Sequence, residues 1–166
     1  PTPNPSARAG EVQTLVDEGE QMTTNGPRLG TVDLEVDGQV AVITNNNPEK
    51  RNAFGDDMDV QIFEILAELK ARNDIRAVIW RGEGHSWSSG RDVSSIGNSQ
   101  ELSHHELMSR GHSGIQQIWD LNAPILVAIQ GWAIGGSFQR ALLCDIRVAA
   151  DNAQFMLPEI SHGVIP

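Results

Sequence analysis

The amino-acid sequence predicts an α/β domain of mostly parallel strands flanked by helices. Two observations carry that prediction. From Thr31 onward, apolar patterns alternate in the order strand, helix, strand, helix, strand, the signature of parallel pairing through crossover helices. Glycine-bearing loops starting at Gly82 and Gly131 follow directly on predicted strands, and the carboxyl ends of strands are where such sheets bind ligands. No internal repeat is evident in the sequence.

The first element is a hairpin. Val32, Leu34 and Val36 alternate with polar residues, Asp37-Gly38 follows, and Val40, Val42 and Thr44 carry a second alternation. Asp-Gly between two alternating runs is a strong hairpin signal. Asn45–Asn47 and Pro48 end the second strand. Met58, Ile62, Ile65, Leu66 and Leu69 then recur at helical spacing, with Asp56 and Asp57 in the first turn, where the helix dipole favours acids. Ala77–Trp80 reads as a short buried strand stopped by Gly82 and Gly84, and a Ser- and Gly-rich loop runs from Glu83 towards Gly97. A second helix is predicted over Leu102–Asp120, with Met108, Ile115, Ile118 and Trp119 facing inward and Pro124 blocking its continuation. Ile125–Ile129 is a continuous apolar strand ended by Gln130-Gly131. Gly135-Gly136 opens a helix through Leu143, and Asp145–Ala149 and Ala153–Met156 read as two further strands.

Length and composition set bounds on this picture. The 166 residues suffice for one domain with its own core, at 39% hydrophobic and 20% charged content. Residues 1–30 read as a flexible segment or tag: prolines stand at 1, 3 and 5, no apolar period is sustained, and Met22 is a candidate natural start. Residues 31–166 are the expected folded core. A single cysteine, Cys144, excludes an internal disulfide framework and reads as a small core residue. No apolar run reaches bilayer length and no secretory start is visible, so the expectation is a cytoplasmic protein with no membrane partner. A net charge of -10 argues against nucleic acid. It also requires that any anionic ligand meet a local positive cluster.

Chemistry concentrates in two loops, Trp87–Val93 and Gln130–Phe138. Small residues there leave peptide N–H groups uncovered, and the Gly135-Gly136 pair places free N–H groups at the positive end of a helix dipole. Such donors stabilise a developing oxyanion, and glycine permits the close approach. Taken alone, each loop reads more readily as a tight turn than as a catalytic hole. The order of five segments changes the reading: Asn47-Pro48-Glu49-Lys50-Arg51-Asn52-Ala53, Ser88-Ser89-Gly90-Arg91-Asp92, Gly131-Trp132-Ala133-Ile134-Gly135-Gly136, Cys144-Asp145-Ile146-Arg147 and Phe155-Met156-Leu157-Pro158-Glu159. Together they resemble the enoyl-CoA hydratase/isomerase (crotonase) superfamily across residues 31–166.

The resemblance implies a spiral of ββα units, an acyl-CoA thioester substrate, and no cofactor beyond the coenzyme A that the substrate carries. It implies that the backbone N–H groups of Arg91 and Gly136 meet the thioester oxygen, and that Glu159 is the acid/base. A second family glutamate falls three positions beyond Gly136, where this chain has Gln139. Gln orients a water but exchanges no proton at neutral pH, so two-glutamate hydration is expected to be impaired. One-carboxylate isomerase chemistry fits at least as well. Lys50, Arg51 and Arg91 lie in loops that the family uses to hold coenzyme A, together with Ala53, Ser89, Gly90, Asp92, Val93 and Gly135. Family members generally continue into C-terminal helices that build trimers. That part is expected to be missing here, with a homotrimer or hexamer as the full-length form.

Other groups weigh less. Ser137 follows Gly136, which keeps a thioester hydrolase open, although no Gly-x-Ser-x-Gly elbow surrounds it. Gln139 keeps open an acyl-CoA-binding protein with impaired catalysis. His104, His105 and His112 lack a zinc-protease pattern and read as a solvated helix face rather than a metal site. His85 and His162 border the two loops. Asp92 reads as a loop cap and Asp145 as the residue that ends a helix or starts a strand.

Overall fold

A computed structural model of the chain describes residues 30–95 and 104–163. Expectations placed on 1–29, 96–103 and 164–166 fall outside the described residues, as do those on the side chains of His104, His105, Met108 and His162.

The chain opens with strands β1 (Thr31–Asp37) and β2 (Val40–Asn46), paired antiparallel. Asp37 pairs with Val40, so the turn residues are Gly38-Gln39, one position later than the Asp-Gly signal. Gly38 takes φ +58, which glycine adopts freely. Helix α1 (Asp56–Ala71) has three acids in its first turn and buries Met58, Ile62, Ile65, Leu66 and Leu69. These are the residues predicted to form its apolar face. Strands β3 (Ala77–Gly82), β4 (Ile125–Ile129) and β6 (Ile146–Ala149) then join in parallel, giving one sheet in the order β1-β2-β3-β4-β6. A second sheet pairs β5 (Trp132–Ile134) with β7 (Gln154–Met156), also in parallel. Helices α2 (His104–Trp119) and α3 (Gly135–Leu143) complete the described elements. Ile43, Val78, Trp80 and Val127 are fully buried in the sheet, beneath Ile62 and Leu66 of α1.

The topology has a repeat that the sequence does not announce. β1-β2-α1, β4-β5-α3 and β6-β7 each place a strand pair in succession, and the segment after β3 makes a short bridge, Ser88 to Ala133, in place of a second strand. β1 and β2 both join the large sheet, whereas β4-β5 and β6-β7 each give one strand to the large sheet and the next to the small one. Alternation within the small sheet puts Ala133 inside, fully buried, with Trp132 and Ile134 half-buried on either side.

Two expectations are corrected. The sequence predicts a loop over Gln130–Phe138, but its centre is strand β5. Trp119 is predicted to face inward and is instead 60% exposed. Ile118, its neighbour, is 5% exposed, and the step of about 100° between consecutive helix positions carries Trp119 off the buried side.

Candidate active site

The first wall of the site is the turn between β2 and α1. Pro48–Lys50 form a single 3-10 turn ending at Arg51, which has φ +53, and Asn52 follows with φ +56. Two successive non-glycine residues in the left-handed region cost roughly 1–2 kcal/mol each. The buried Asn52 side chain holds the turn. Its Oδ1 accepts from Asn47 N at 2.7 Å, and its Nδ2 donates to Glu83 O at 2.9 Å and Ser86 O at 2.7 Å. One amide thereby joins the end of β2 to the loop after β3, satisfying three backbone groups in the interior.

That second loop is bound on both sides. Ser89 N donates to Arg51 O (2.9 Å), Phe54 N to Gly90 O (2.8 Å) and Asp92 N to Phe54 O (2.8 Å). On the other side Ser88 N donates to Trp132 O (2.9 Å), and Ile134 N to Ser88 O (3.1 Å). Phe54 bridges Arg91 in the parallel sense, a pattern that uses the flanking groups of residues 90 and 92 and turns the Arg91 N–H to the opposite side. That N–H donates to no acceptor among the described residues. Gly90 has φ +92, and a Cβ there would stand 2.8 Å from Ile134 O. Glycine is therefore what lets this loop close against the end of β5.

Across the contact, β5 runs directly into α3. Gly135 has φ +58 and is buried, whereas Gly136 is exposed with open space around its Cα. The first-turn N–H groups of α3 have no intrahelical acceptors, and those of Gly135 and Gly136 point to the same end of the helix. Behind them, Ser137 is 3% exposed and Ser88 fully buried, with their hydroxyls 2.7 Å apart. Ser88 Oγ also donates to Asn52 O at 2.6 Å and accepts from Gly90 N at 3.2 Å. The residue that follows Gly136 is thus tied to the loop bearing Arg91.

Glu159 reaches the same place from the opposite end of the chain. It begins a 3-10 turn, Glu159–His162, after Pro158. Its Oε1 stands 2.9 Å from where a Cβ on Gly135 would be. Its Oε2 is buried and has no hydrogen-bond partner among the described residues. An unpartnered buried carboxylate oxygen is costly to maintain, and its carboxylate stands against Gly135, the first residue of α3. Gln139 is half-buried on α3, one turn beyond Gly135.

The remaining predicted residues lie on the first two loops. Ala53 is 8% exposed, Ser89 is half-buried and Val93 is 77% exposed. Asp92 caps the turn after it, accepting from Ser94 N at 3.0 Å and pairing with Lys50 Nζ at 2.7 Å. Lys50 and then Ser94 hold its carboxyl down to about 2. The expected cluster of three open cations is revised. Lys50 is engaged by Asp92, and the Arg91 guanidinium by Asp56 and Asp59. Among the described residues, Arg51 alone of the three makes no ion pair. It lines a cavity of about 400 Å3 with His85, Ser86, Trp132 and Gln154.

Sequence reasoning missed Asn52, Asp59 and the Ser88–Ser137 pair. Asn52 stands within the first of the five family-like segments, but its role depends on backbone groups 31 and 34 residues away. Cys144 is buried, and burial pushes its thiol up to about 12. Asp145 joins α3 to β4, accepting from Ile125 N at 2.8 Å. Among the described residues, no group of His, Cys, Asp and Glu is arranged to hold a metal ion, and no helix is long and apolar enough to cross a membrane.

Comparisons with known proteins bear on this arrangement. The enoyl-CoA hydratase/isomerase family model matches residues 35–166. A short-chain-enoyl-CoA hydratase of Clostridium acetobutylicum is 32% identical over 139 residues, covering 83% of this chain and 53% of the relative. A carboxymethylproline synthase of Pectobacterium carotovorum is 34% identical over 130 residues, covering 76% and 51%. Among solved structures, an enoyl-CoA hydratase/isomerase from Marinobacter aquaeolei superposes with a TM-score of 0.75 at 29% identity, over 81% of this chain and 54% of that one. The fold is therefore that of the crotonase superfamily. The chain belongs to the enoyl-CoA hydratase/isomerase family, and it spans about half the length of the curated relatives it matches.

Proposed function

We propose that the chain forms the catalytic half of an acyl-CoA thioester enzyme of the enoyl-CoA hydratase/isomerase type. In this reading the thioester oxygen sits between the N–H groups of Arg91 and Gly136, and Glu159 moves the proton. The observation that carries it is the Glu159 carboxylate: one oxygen against Gly135, the other buried and unpartnered among the described residues. A group placed so, against the first residue of α3, suits proton transfer at the carbon next to a thioester. Removing that proton sends an electron pair onto the thioester oxygen, where the two donors meet it.

The single carboxylate favours returning the proton to another carbon of the same substrate over adding water. Gln139 occupies the position from which a second glutamate would activate water in the family pattern. The relatives' printed names span hydratase, dehydratase and synthase reactions, so the family name alone does not choose among them. A thioester hydrolase built on Ser137 is disfavoured, since that hydroxyl is 3% exposed and held by Ser88. The acyl-CoA is the only ligand the mechanism requires, its coenzyme A moiety supplying the thioester.

The test is a turnover screen with 2-enoyl-, 3-enoyl- and 3-hydroxyacyl-CoA, run on the wild type and Glu159→Gln. Glu159→Gln is expected to lower kcat by about two to four orders of magnitude while acyl-CoA binding persists. Wild-type rates retained by Glu159→Gln would overturn the assignment.

A further inference from the structure

The two candidate oxyanion donors belong to segments 45 positions apart, joined directly by the hydrogen bonds of Ser88 to Trp132, Ile134 and Ser137. One side chain outside both loops touches each segment. Asp59, on the first turn of α1, accepts from Arg91 Nη1 through Oδ2 at 2.6 Å and from Arg140 Nη2 through Oδ1 at 2.6 Å. Arg91 carries the first donor on its own backbone. Arg140 stands four residues after Gly136, one helical turn along α3, and so reports the position of that helix. Asp56 takes the second Nη of Arg91.

Phe54 closes the circuit. Its backbone bridges Arg91, and its ring lies under the Arg140 guanidinium, 4.7 Å from ring centroid to Cζ. Arg91, Asp59 and Arg140 are only 31%, 22% and 19% exposed at their side chains. Ion pairs that are part-buried, paired by both carboxylate oxygens and backed by an aromatic ring hold geometry far better than isolated surface pairs. The Ser88–Ser137 contact ties the same two segments from the inner side, so Asp59 adds a second tether between them.

We propose that Asp59 is a positioning residue that sets the separation and aim of the Arg91 and Gly136 N–H groups by gripping Arg91 and Arg140 at once. The proposal rests on the oxyanion reading above. Transition-state donors tolerate little error: a displacement of about 1 Å can cost roughly 100-fold in rate. A donor pair set out of register loses transition-state stabilisation more than ground-state binding, so the effect falls on kcat rather than KM.

The experiment uses the full chain with Asp59→Asn, Asp59→Glu and Arg140→Met, folding being checked by circular dichroism. Turnover is measured alongside the absorption of a bound arylacryloyl-CoA, whose band moves to the red when its thioester carbonyl is polarised. Asp59→Asn is expected to lower kcat by about 10- to 100-fold, leave KM within threefold, and lose at least half of the red shift. Asp59→Glu should recover most of both, and Arg140→Met should fall between. If Asp59→Asn does not fold, Arg140→Met carries the test alone. A wild type that shifts the band, with Asp59→Asn and Arg140→Met matching it in shift and in kcat, overturns the positioning role and leaves the oxyanion reading standing. A wild type that binds the probe without any shift overturns the oxyanion reading, and the role of Asp59 falls with it.

Discussion

At the residue scale the site is decided by which polar groups are already spoken for. Asp92 is held by Lys50 and Ser94, which keep its carboxyl near 2 rather than in the ordinary range. A depressed carboxylate contributes stability above its unfolded value and loses that contribution as pH falls through the folded one. The turn after Asp92 should therefore stay ordered to about pH 3 and loosen below it. In Lys50→Ala the Asp92 carboxyl carbon, followed by NMR, should titrate partway back toward ordinary values, with Ser94 retaining the remainder. Little stability should be lost at pH 7, because Lys50 is largely exposed. Gln139 is the opposite case, a neutral side chain where a proton exchanger would add a reaction. Gln139→Glu should raise the hydration rate of a 2-enoyl-CoA by about 10-fold or more, and an unchanged rate would count against the alignment of α3 with the family pattern. The sequence made Glu159 and Gln139 legible because they sit at fixed offsets from Pro158 and the glycine pair. It could not show that the Arg91 guanidinium is occupied, because its acids lie 32 and 35 positions earlier, on α1.

At the scale of elements, what matters is how tightly two backbone segments approach. Gly90 and Gly38 both occupy the left-handed region, yet their surroundings differ. A Cβ at Gly90 meets Ile134 O, whereas one at Gly38 meets nothing within 4 Å. Gly38→Ala should therefore carry only the conformational cost, about 1 kcal/mol, and keep its activity. Gly90→Ala should add the collision, lose roughly 2–4 kcal/mol in denaturant unfolding, and lose turnover as Arg91 is pushed away from α3. Equal losses in both variants would mean that close approach is not what residue 90 supplies. The same distinction explains which elements were readable. The hairpin and α1 announce themselves through local alternation and helical spacing, and α3 begins at the predicted glycine. β5 has only three residues and owes its existence to partners at Ser88 and β7, so no local pattern marks it. The ββα repeat is likewise a property of the path of the backbone, carried by side chains too varied to repeat.

At the scale of the molecule, net charge and local charge pull against each other. The chain carries a net charge of -10, and an acyl-CoA, the substrate proposed above, is itself multiply anionic, so their encounter would be opposed at long range. Lys50 and Arg91 offer little relief, since each is matched by acids. Arg51 makes no such pair among the described residues and stands exposed at a strained turn. One open cation acts within a few ångströms, whereas the field of the whole protein extends about 30 Å at 10 mM salt and about 8 Å at 150 mM. Added salt should therefore remove more repulsion than attraction. We expect kcat/KM for an enoyl-CoA to rise about two- to fivefold between those salt concentrations, the reverse of a ligand steered by a basic surface. Arg51→Ala should lower kcat/KM throughout and steepen the rise, because it leaves repulsion almost unopposed, so that screening has more to remove. A kcat/KM that falls with salt would mean that the site presents more positive charge to the ligand than Arg51 alone, and would transfer phosphate recognition from that one residue to a wider surface.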